Sequence, residues 1–312
     1  MTDIVIVNWN SGHFLERCIS SVFAGSNPQF ISQVIIIDNN SADGSASFIN
    51  ADNKTKLIRN ENNNGFAKAC NQGFKLCTAE YILLLNPDAI LLEDTLQEGL
   101  QFLQKQQDVD IMGCQLIDDN GHISPSCSRF PTPLHIFFDA TGLSKVAPKF
   151  FTPATVMTDW DHKESRYADQ VMGAFMLMRK TVFDKLGYFD ERFFVYYEEV
   201  DFCKRLSNIN GRTFYNASIR AVHSGEGTTQ RVKAFRLFLS LRSRLLYSKK
   251  HFSTLGYISV WVSTFFIEPF ARSIFLLLRL SPGEIPDVWK GIRMLVVNKT
   301  LPAVIGLLFF SV

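Results

Sequence analysis

No pair of cysteines stands at C-x-x-C spacing, and no histidine lies at a zinc-binding distance from one, which argues against a structural zinc site. The six cysteines, at positions 18, 70, 77, 114, 127 and 203, are scattered, as expected in a reducing compartment. The first apolar run ends in Asn8-Trp9-Asn10-Ser11-Gly12-His13 and not in a G-x-G-x-x-G turn, which speaks against a dinucleotide-dependent oxidoreductase. None of the four tryptophans follows an arginine, so the Q-x-x-R-W signature of processive polysaccharide synthases is missing. The N-terminus has no basic stretch leading into an apolar one, and no secretory signal is expected. There are no internal repeats and no low-complexity segments.

What is present is a chain of 312 residues, 46% hydrophobic, with mean hydropathy near zero. That suffices for one large domain plus an appendage. The net charge of +2 hides an asymmetry. Residues 231–312 hold twelve Lys/Arg against three Asp/Glu, whereas residues 1–230 hold 20 against 27. A basic segment seeks an anionic surface, and the apolar content of this one favours a membrane over a nucleic acid.

Short apolar runs alternate with amphipathic ones. Strands are predicted at 4–7, 33–37, 56–59, 81–85 and 109–114, with helices at 14–23, 66–77 and 95–105. Alternation of this kind predicts an α/β fold with a mostly parallel sheet covered by helices on both faces. Residues 118–168, rich in Pro, Ser, Asp and Thr, read as a long loop or hairpin region. A strand at 170–179, a short helix at 182–186 ended by Gly187, a helix at 198–207 and short strands at 213–215 and 219–222 follow.

In such sheets ligands bind beyond the carboxyl ends of the strands. Four constellations lie there. Leu84-Leu85-Asn86-Pro87-Asp88 puts one carboxylate at a strand end, enough for a cation that phosphates and water also coordinate. The stretch 187–201 packs five acids among aromatics, and on a helix Glu198 and Asp201 share a face while Glu199 points away. Apolar neighbours would raise the pKa of such an acid, as a general base requires, although an acidic helix start favoured by the helix dipole has the same look. His223-Ser224-Gly225-Glu226-Gly227 could complete a metal site or close over phosphates. Gly65 opens a helix with Lys68 in its first turn, a place where a phosphate can be held, or simply an Asn-rich turn.

Together these pieces resemble the family-2 glycosyltransferases, in particular their bacterial rhamnosyltransferase-like branch. The resemblance rests on Val5-Ile6-Val7-Asn8-Trp9-Asn10-Ser11, Ile37-Asp38-Asn39-Asn40-Ser41, Asn64-Gly65-Phe66-Ala67 through Asn71-Gln72-Gly73, and Leu85-Asn86-Pro87-Asp88. It continues with Val171-Met172-Gly173-Ala174-Phe175, Phe189-Asp190-Glu191 through Asp201, and His223, and so covers residues 2 to about 230. It implies a GT-A fold with a catalytic domain over 1–230. It implies that Asp38 and Asn39 contact the nucleotide of a nucleoside-diphosphate sugar, within a binding surface that includes Val7, Asn8, Asn10, Gly65, Lys68 and Asn86. It implies that Asp88, last acid of a degenerate D-x-D motif, binds Mg²⁺ or Mn²⁺ with His223 as second ligand. Glu199 takes the position of the catalytic base, with Glu198 and Asp201 as the neighbouring acids. Many relatives carry Asp-Asp where this chain has Asn86-Pro87-Asp88, and with a single carboxylate the reliance on His223 is expected to be greater. The implied reaction is inverting transfer of a sugar, with rhamnose the suggested one, to a cell-surface polysaccharide or lipid-linked saccharide. A non-catalytic nucleotide-sugar sensor and a processive synthase are the alternatives.

Residues 231–250 carry seven Lys/Arg and no acid, with Phe235, Phe238, Leu239, Leu245 and Leu246 at helical spacing. Such a helix lies in a membrane interface or docks on a domain. Residues 252–267 are uncharged and then meet Glu268-Pro269, expected to break the run short of the roughly 20 residues a spanning helix needs. Residues 270–280 and 301–312 are also apolar and short. The 231–312 region is therefore expected to be a helical, membrane-associating appendage. It would be peripheral or monotopic, at the anionic cytoplasmic face of the inner membrane, with no nucleic-acid partner.

Overall fold

The computed structural model describes residues 1–50, 52–225 and 233–297. Most of the Gly-rich loop after His223, residues 226–229, and the apolar stretch 301–312 lie outside the described residues.

In chain order the elements begin with β1 (Thr2–Asn8), α1 (Phe14–Val22), β2 (Ile31–Asp38), β3 (Thr55–Arg59) and α2 (Phe66–Phe74). Then come β4 (Tyr81–Leu85), β5 (Ala89–Leu91), α3 (Thr95–Lys105), β6 (Ile111–Ile117), β7 (Ile123–Ser124) and β8 (Cys127–Ser128). Helices α4 (Pro133–Thr141) and α5 (Leu143–Val146) precede β9 (Arg166–Tyr167), β10 (Gln170–Val171), β11 (Phe175–Arg179) and α6 (Thr181–Leu186). The chain continues through α7 (Glu198–Asn208), β12 (Thr213–His223), α8 (Lys233–His251), α9 (Thr254–Val262), α10 (Glu268–Leu278) and α11 (Ile285–Val297).

These elements fall into two compact units. Met1–Phe130, Trp160–Glu191 and Glu198–Thr228 make the first, and Pro131–Asp159, Arg192–Tyr197 and Thr229–Val312 the second. Two segments from before residue 230, 131–159 and 192–197, fall in the second unit.

The first unit is built on a ten-stranded sheet of order β3-β2-β1-β4-β11-β6-β12-β5, with β7 beside β6 and β9 beside β12. β1 pairs in parallel with β2 and β4, and β2 with β3. β11 then runs antiparallel to both β4 and β6, so the sheet is mixed, with its parallel block at one side. Every residue of β1 and β4 is buried, which is why these strands read as continuous apolar runs without alternation. Helices α1 and α3 contribute Leu15, Cys18, Val22, Leu96, Leu100 and Leu103 to the core formed with Ile4, Ile6, Leu83 and Leu85.

Three expectations change. The stretch expected as one strand over 170–179 is two, interrupted at Met172-Gly173-Ala174. The two short strands expected over 213–222 are one strand, β12, with a register irregularity between Asn216 and Arg220. The 118–168 region holds not only the β6–β7 hairpin but helix α4, whose Thr132 side chain accepts the His135 N–H, whose Pro133 occupies the first helical position and whose end is marked by left-handed Gly142.

The second unit is helical. Pro269 does not end the apolar helix, which runs unbroken from Thr254 to Leu278, 25 residues. A π-helical turn over Ser263–Ile267 absorbs the hydrogen bond that proline cannot make. Glu268 is 1% exposed and faces inward. It accepts from Arg272 Nε and Nη2 at 2.8 and 2.7 Å and from buried Arg244, whose Nη2 also donates to Thr264 Oγ1 at 2.7 Å. Burial alone would raise the Glu268 carboxyl, but the charges of Arg244 and Arg272 outweigh it and hold the group below its usual range. Elsewhere in this unit Ser243 Oγ donates to Val195 O at 2.8 Å, Arg242 Nη1 donates to Arg192 O at 3.1 Å, and the Tyr197 ring packs on Tyr247.

Glu268→Ala leaves the buried Arg244 guanidinium without its carboxylate, and should cost about 3–5 kcal/mol in urea unfolding. A loss below about 1 kcal/mol would mean that the cluster is not a structural linchpin.

Candidate active site

The parallel block brings its carboxyl ends to one edge. Asn8, last residue of β1, is level with Asp38, last of β2, and Asp38 with Arg59, last of β3. Asn8 is fully buried, and its two Nδ2 hydrogens are shared among Asp38 Oδ1 at 2.9 Å, Ser45 Oγ at 2.9 Å and Ser41 Oγ at 3.0 Å, while its Oδ1 accepts from Ser11 Oγ. Asn10, in a left-handed conformation, donates its N–H to Ser41 Oγ and accepts the Ala42 N–H at 2.7 Å. Asn39 ties the β2 end to the loop before α2: its Nδ2 donates to Asn63 Oδ1 and Gly65 O, and its Oδ1 accepts from Asn60 Nδ2 and Asn64 N. Gly65, at φ +85°, opens α2 in a conformation that side chains resist. Lys68 lies exposed in the first turn of that helix.

At the end of β4 the chain turns through Asn86 and Pro87, and the Asn86 N–H donates to Ala174 O at 3.1 Å. β5 then pairs antiparallel with the end of β12, in a register that opposes Ala89 and His223. That register sets Asp88 beside His223, whose Nε2 is 3.3 Å from Asp88 Oδ1. Both side chains are only about a tenth exposed, at 13% and 10%. Cis ligands of an octahedral cation at ~2.1 Å are ~3.0 Å apart, so these two atoms fit adjacent positions on one divalent ion. Among the described residues no group of three or more His, Cys, Asp or Glu is placed to hold a metal, which leaves most coordination positions to other donors.

The acids of α7 differ from one another. Glu199 is partly buried and lies against the break between β10 and β11, where the Gly173 backbone N–H hydrogen-bonds its carboxylate. Removal from water raises its pKa above the ordinary 4.5, against the pull of the backbone N–H groups of Glu199 and Gly173. A Cβ at position 173 would stand 2.5 Å from Glu199 Oε1, so only glycine leaves the carboxylate its place. Burial also pushes up the thiols of Cys70 and, to about 12, Cys203, and the Glu199 charge adds to both. Glu198 is buried at the helix start. Asp201 is fully buried and accepts from Arg205 Nε at 2.9 Å, and Arg205 in turn donates to Leu186 O and Tyr188 O. Asp201 thus braces the loop before the acids, and of the three it is the least available for chemistry.

Two positioning residues stand in motifs quoted above but were given no role there. Gly173 is one, and its signal was a glycine inside an apolar strand pattern. The other is Asn71, whose side chain donates to Phe189 O and Glu191 Oε1 and accepts the Phe189 N–H, holding the Phe189–Glu191 turn against α2. Of the residues expected to touch a nucleotide, Val7, Asn8 and Asn39 are buried, and the two asparagine side chains are spent within the protein. Asn10, Lys68 and Asn86 keep accessible atoms.

Residues 3–187 match the profile described as glycosyl transferase family 2. The chain is 24% identical over 255 residues to the low-salt glycan biosynthesis hexosyltransferase Agl10 of Haloferax volcanii, covering 80% of this chain and 76% of that one. It is 27% identical over 197 residues to the rhamnosyltransferase WbbL of Escherichia coli (61% and 70%). Against the N-acetylglucosaminyl-diphospho-decaprenol L-rhamnosyltransferase of Mycobacterium tuberculosis it is 23% identical over 266 residues (79% and 84%). Its fold is that of the mannosyltransferase PcManGT from Pyrobaculum calidifontis, solved with GDP-Man and Mn²⁺ (TM-score 0.57, 12% identity, 96% of this chain and 88% of that one). It is also that of S. aureus TarS in complex with UDP-GlcNAc (TM-score 0.52, 15% identity, 93% and 79%). The chain belongs to glycosyl transferase family 2 and is a glycosyltransferase with a GT-A-like mixed sheet.

Gly173→Ala and Asp201→Asn should separate positioning from bracing. The alanine methyl meets only the flexible end of Glu199, so activity should fall at least about tenfold with little change in stability. Asp201→Asn should instead lower unfolding stability by about 1–3 kcal/mol, less than for a fully buried pair because Arg205 is partly solvated.

Proposed function

We propose that this family-2 glycosyltransferase transfers one sugar, with inversion, from a nucleoside-diphosphate sugar to a lipid-linked or polysaccharide acceptor at the cytoplasmic face of a membrane. Rhamnose is the proposed sugar, on the strength of two relatives named rhamnosyltransferases. The observation that carries the reading is the Asp88–His223 pair, 3.3 Å apart at the carboxyl edge of the sheet. It suits the Mn²⁺ named with the bound donor in one neighbour, and Mg²⁺ would serve the same geometry. When bound, such an ion supplies the positive charge that neutralises the leaving diphosphate.

Glu199 is the proposed base. It takes the proton from an acceptor hydroxyl, whose oxygen forms its bond to the anomeric carbon from the face opposite the departing nucleoside diphosphate. The bond between anomeric carbon and phosphate oxygen breaks as the new one forms, so the configuration inverts. Gly173 aims the Glu199 carboxylate, and the burial that raises its pKa makes it a stronger base than an exposed glutamate. Asn10, Lys68 and Asn86, which keep accessible atoms, and buried Asp38, which accepts from Asn8, are the residues assigned to the nucleotide and phosphates in this reading, with Val7, Asn8, Asn39 and Gly65 beneath them. Membrane attachment is supported by the 25-residue apolar helix Thr254–Leu278 and by the cationic excess after residue 230.

Two experiments test this. Release of nucleoside diphosphate from a panel of donors should require Mn²⁺ or Mg²⁺, stop with chelator and be lost in Asp88→Ala. Donor binding without release would instead favour a sensor, and no binding at all would end the reading. Second, Glu199 must be ionised to act, and its folded pKa lies above 4.5. The acid limb of kcat/KM should therefore fall at a higher pH than an ordinary carboxyl gives. Glu199→Gln should remove that limb and about 10²–10⁴ of the rate. A raised folded pKa means that ionisation costs stability as pH climbs through it, so Glu199→Gln should melt no lower than the parent at pH 7. Near-full turnover in this variant would remove Glu199 from the mechanism.

A further inference from the structure

Helix α10 has two unlike faces. Arg272, Phe275 and, one residue past its end, Arg279 line a cavity of about 420 Å³ within the second unit. Lys145 from α5 and Lys233 and Arg236 from α8 complete the cationic part of its wall. A different face of α10 carries Phe270, Ile274, Leu277 and Leu278 at i, i+4, i+7 and i+8, and these are 54–76% exposed. Four large apolar side chains in one stripe are more than the scattered exposure any surface shows.

The positive charges of the wall are only partly answered. Lys233 pairs with Glu284 at 2.8 Å. Arg272 shares the one carboxylate of Glu268 with Arg244, so that cluster keeps a net positive charge. Asp139 accepts the Ala154 N–H at 3.1 Å and Ser144 Oγ but keeps its charge, and with Glu284 and Asp287 it sets three acids in the wall against the five cations Lys145, Lys233, Arg236, Arg272 and Arg279. Lys145 and Arg279 both stand over the Phe275 ring, at 5.5 and 4.4 Å from its centroid. Desolvation, then the charges of Arg272 and Arg279, hold the Lys145 ammonium below the usual lysine range. Cations crowded in this way are relieved by an anion among them.

We infer that this cavity cradles the diphosphate of a lipid-linked acceptor, with Lys145, Arg236, Arg272 and Arg279 around the phosphates and the apolar stripe of α10 in the hydrocarbon. The inference rests on the proposal that the acceptor is lipid-linked. An ordinary phospholipid phosphodiester carries a single negative charge and would leave the cluster under-neutralised. A diphosphate carries more, and a pocket of about 420 Å³ has room for it. The stripe supplies what a soluble phosphate could not use.

The test is sedimentation of the full chain with vesicles. One set is phosphatidylcholine with a few mole percent undecaprenyl diphosphate, and the other is phosphatidylcholine with phosphatidylglycerol to equal surface charge. The chain should prefer the diphosphate vesicles, and Lys145→Gln with Arg279→Gln should lose that preference by about fivefold per charge removed. Lys249→Gln with Lys250→Gln removes the same charge outside the cavity wall and should weaken binding to both vesicles alike, leaving the preference intact. Equal binding to the two vesicles, or a preference that survives in the cavity variant, overturns the inference. So does displacement by inorganic pyrophosphate at the concentration of the lipid, which would make the pocket one for free diphosphate. If the cavity variant melts below the parent, Arg236→Gln alone, an exposed side chain, carries the same comparison. Donor turnover by the unaltered chain is measured separately, so a failed transferase reading and a failed cradle leave different marks.

Discussion

Everything at the carboxyl edge depends on the parallel register of β1 with β2 and β4. Parallel strands that end level deliver their following residues to one place, and each brings unpaired backbone groups that must find partners. Short polar side chains fill this edge: Asn8 bonds the side chains of Asp38, Ser41 and Ser45, and Asn39 answers the backbone of the loop before α2 at Asn64 N–H and Gly65 O. These residues form a rigid polar floor. Asn10, Lys68 and Asn86 keep accessible atoms at strand ends and at the start of α2, and Asp88 lies beside His223. The pair depends on a second register, antiparallel, that opposes Ala89 and His223. A slip of one residue there would turn the histidine to the other face of the sheet.

Three buried acids show how environment divides one chemical type among different tasks. Glu268 lies between two guanidinium groups and stays ionised as structure. Asp201 is paired with Arg205 within its own helix, and through that arginine anchors two carbonyls. Glu199 instead meets the backbone N–H groups of Glu199 and Gly173, and removal from water raises its pKa where the flanking guanidinium charges lower that of Glu268. Glycine at position 173 keeps the Glu199 carboxylate in that place, since a Cβ there would stand 2.5 Å from its Oε1.

Much of this was legible in the residues. The parallel block, its strand ends and the order of the polar motifs follow from apolar runs and their punctuation, because these strands are buried on both faces. Helix α4 was missed although Thr132, Pro133 and Gly142 are its ordinary boundary residues, since its apolar positions show weak periodicity within a polar stretch. Glu268-Pro269 read as a stop because proline forfeits one hydrogen bond, and the π turn that compensates leaves no mark in composition. The grouping of 131–159 and 192–197 with the C-terminal helices depends on contacts distant in sequence, which no local pattern encodes. The same holds for Asn71, whose partners lie 118 and 120 residues away.

All six thiols are buried, and all six belong to the first unit: Cys18, Cys70, Cys77, Cys114, Cys127 and Cys203. Alkylating reagents reach such groups only when the surrounding structure opens. The rate of thiol modification in this chain is therefore a clock for opening of the sheet unit alone, blind to the helical unit. A single cysteine at a buried small position of the helical unit, such as Ser248 in α8, would give that unit a clock of its own, against a background that is silent while the sheet stays closed.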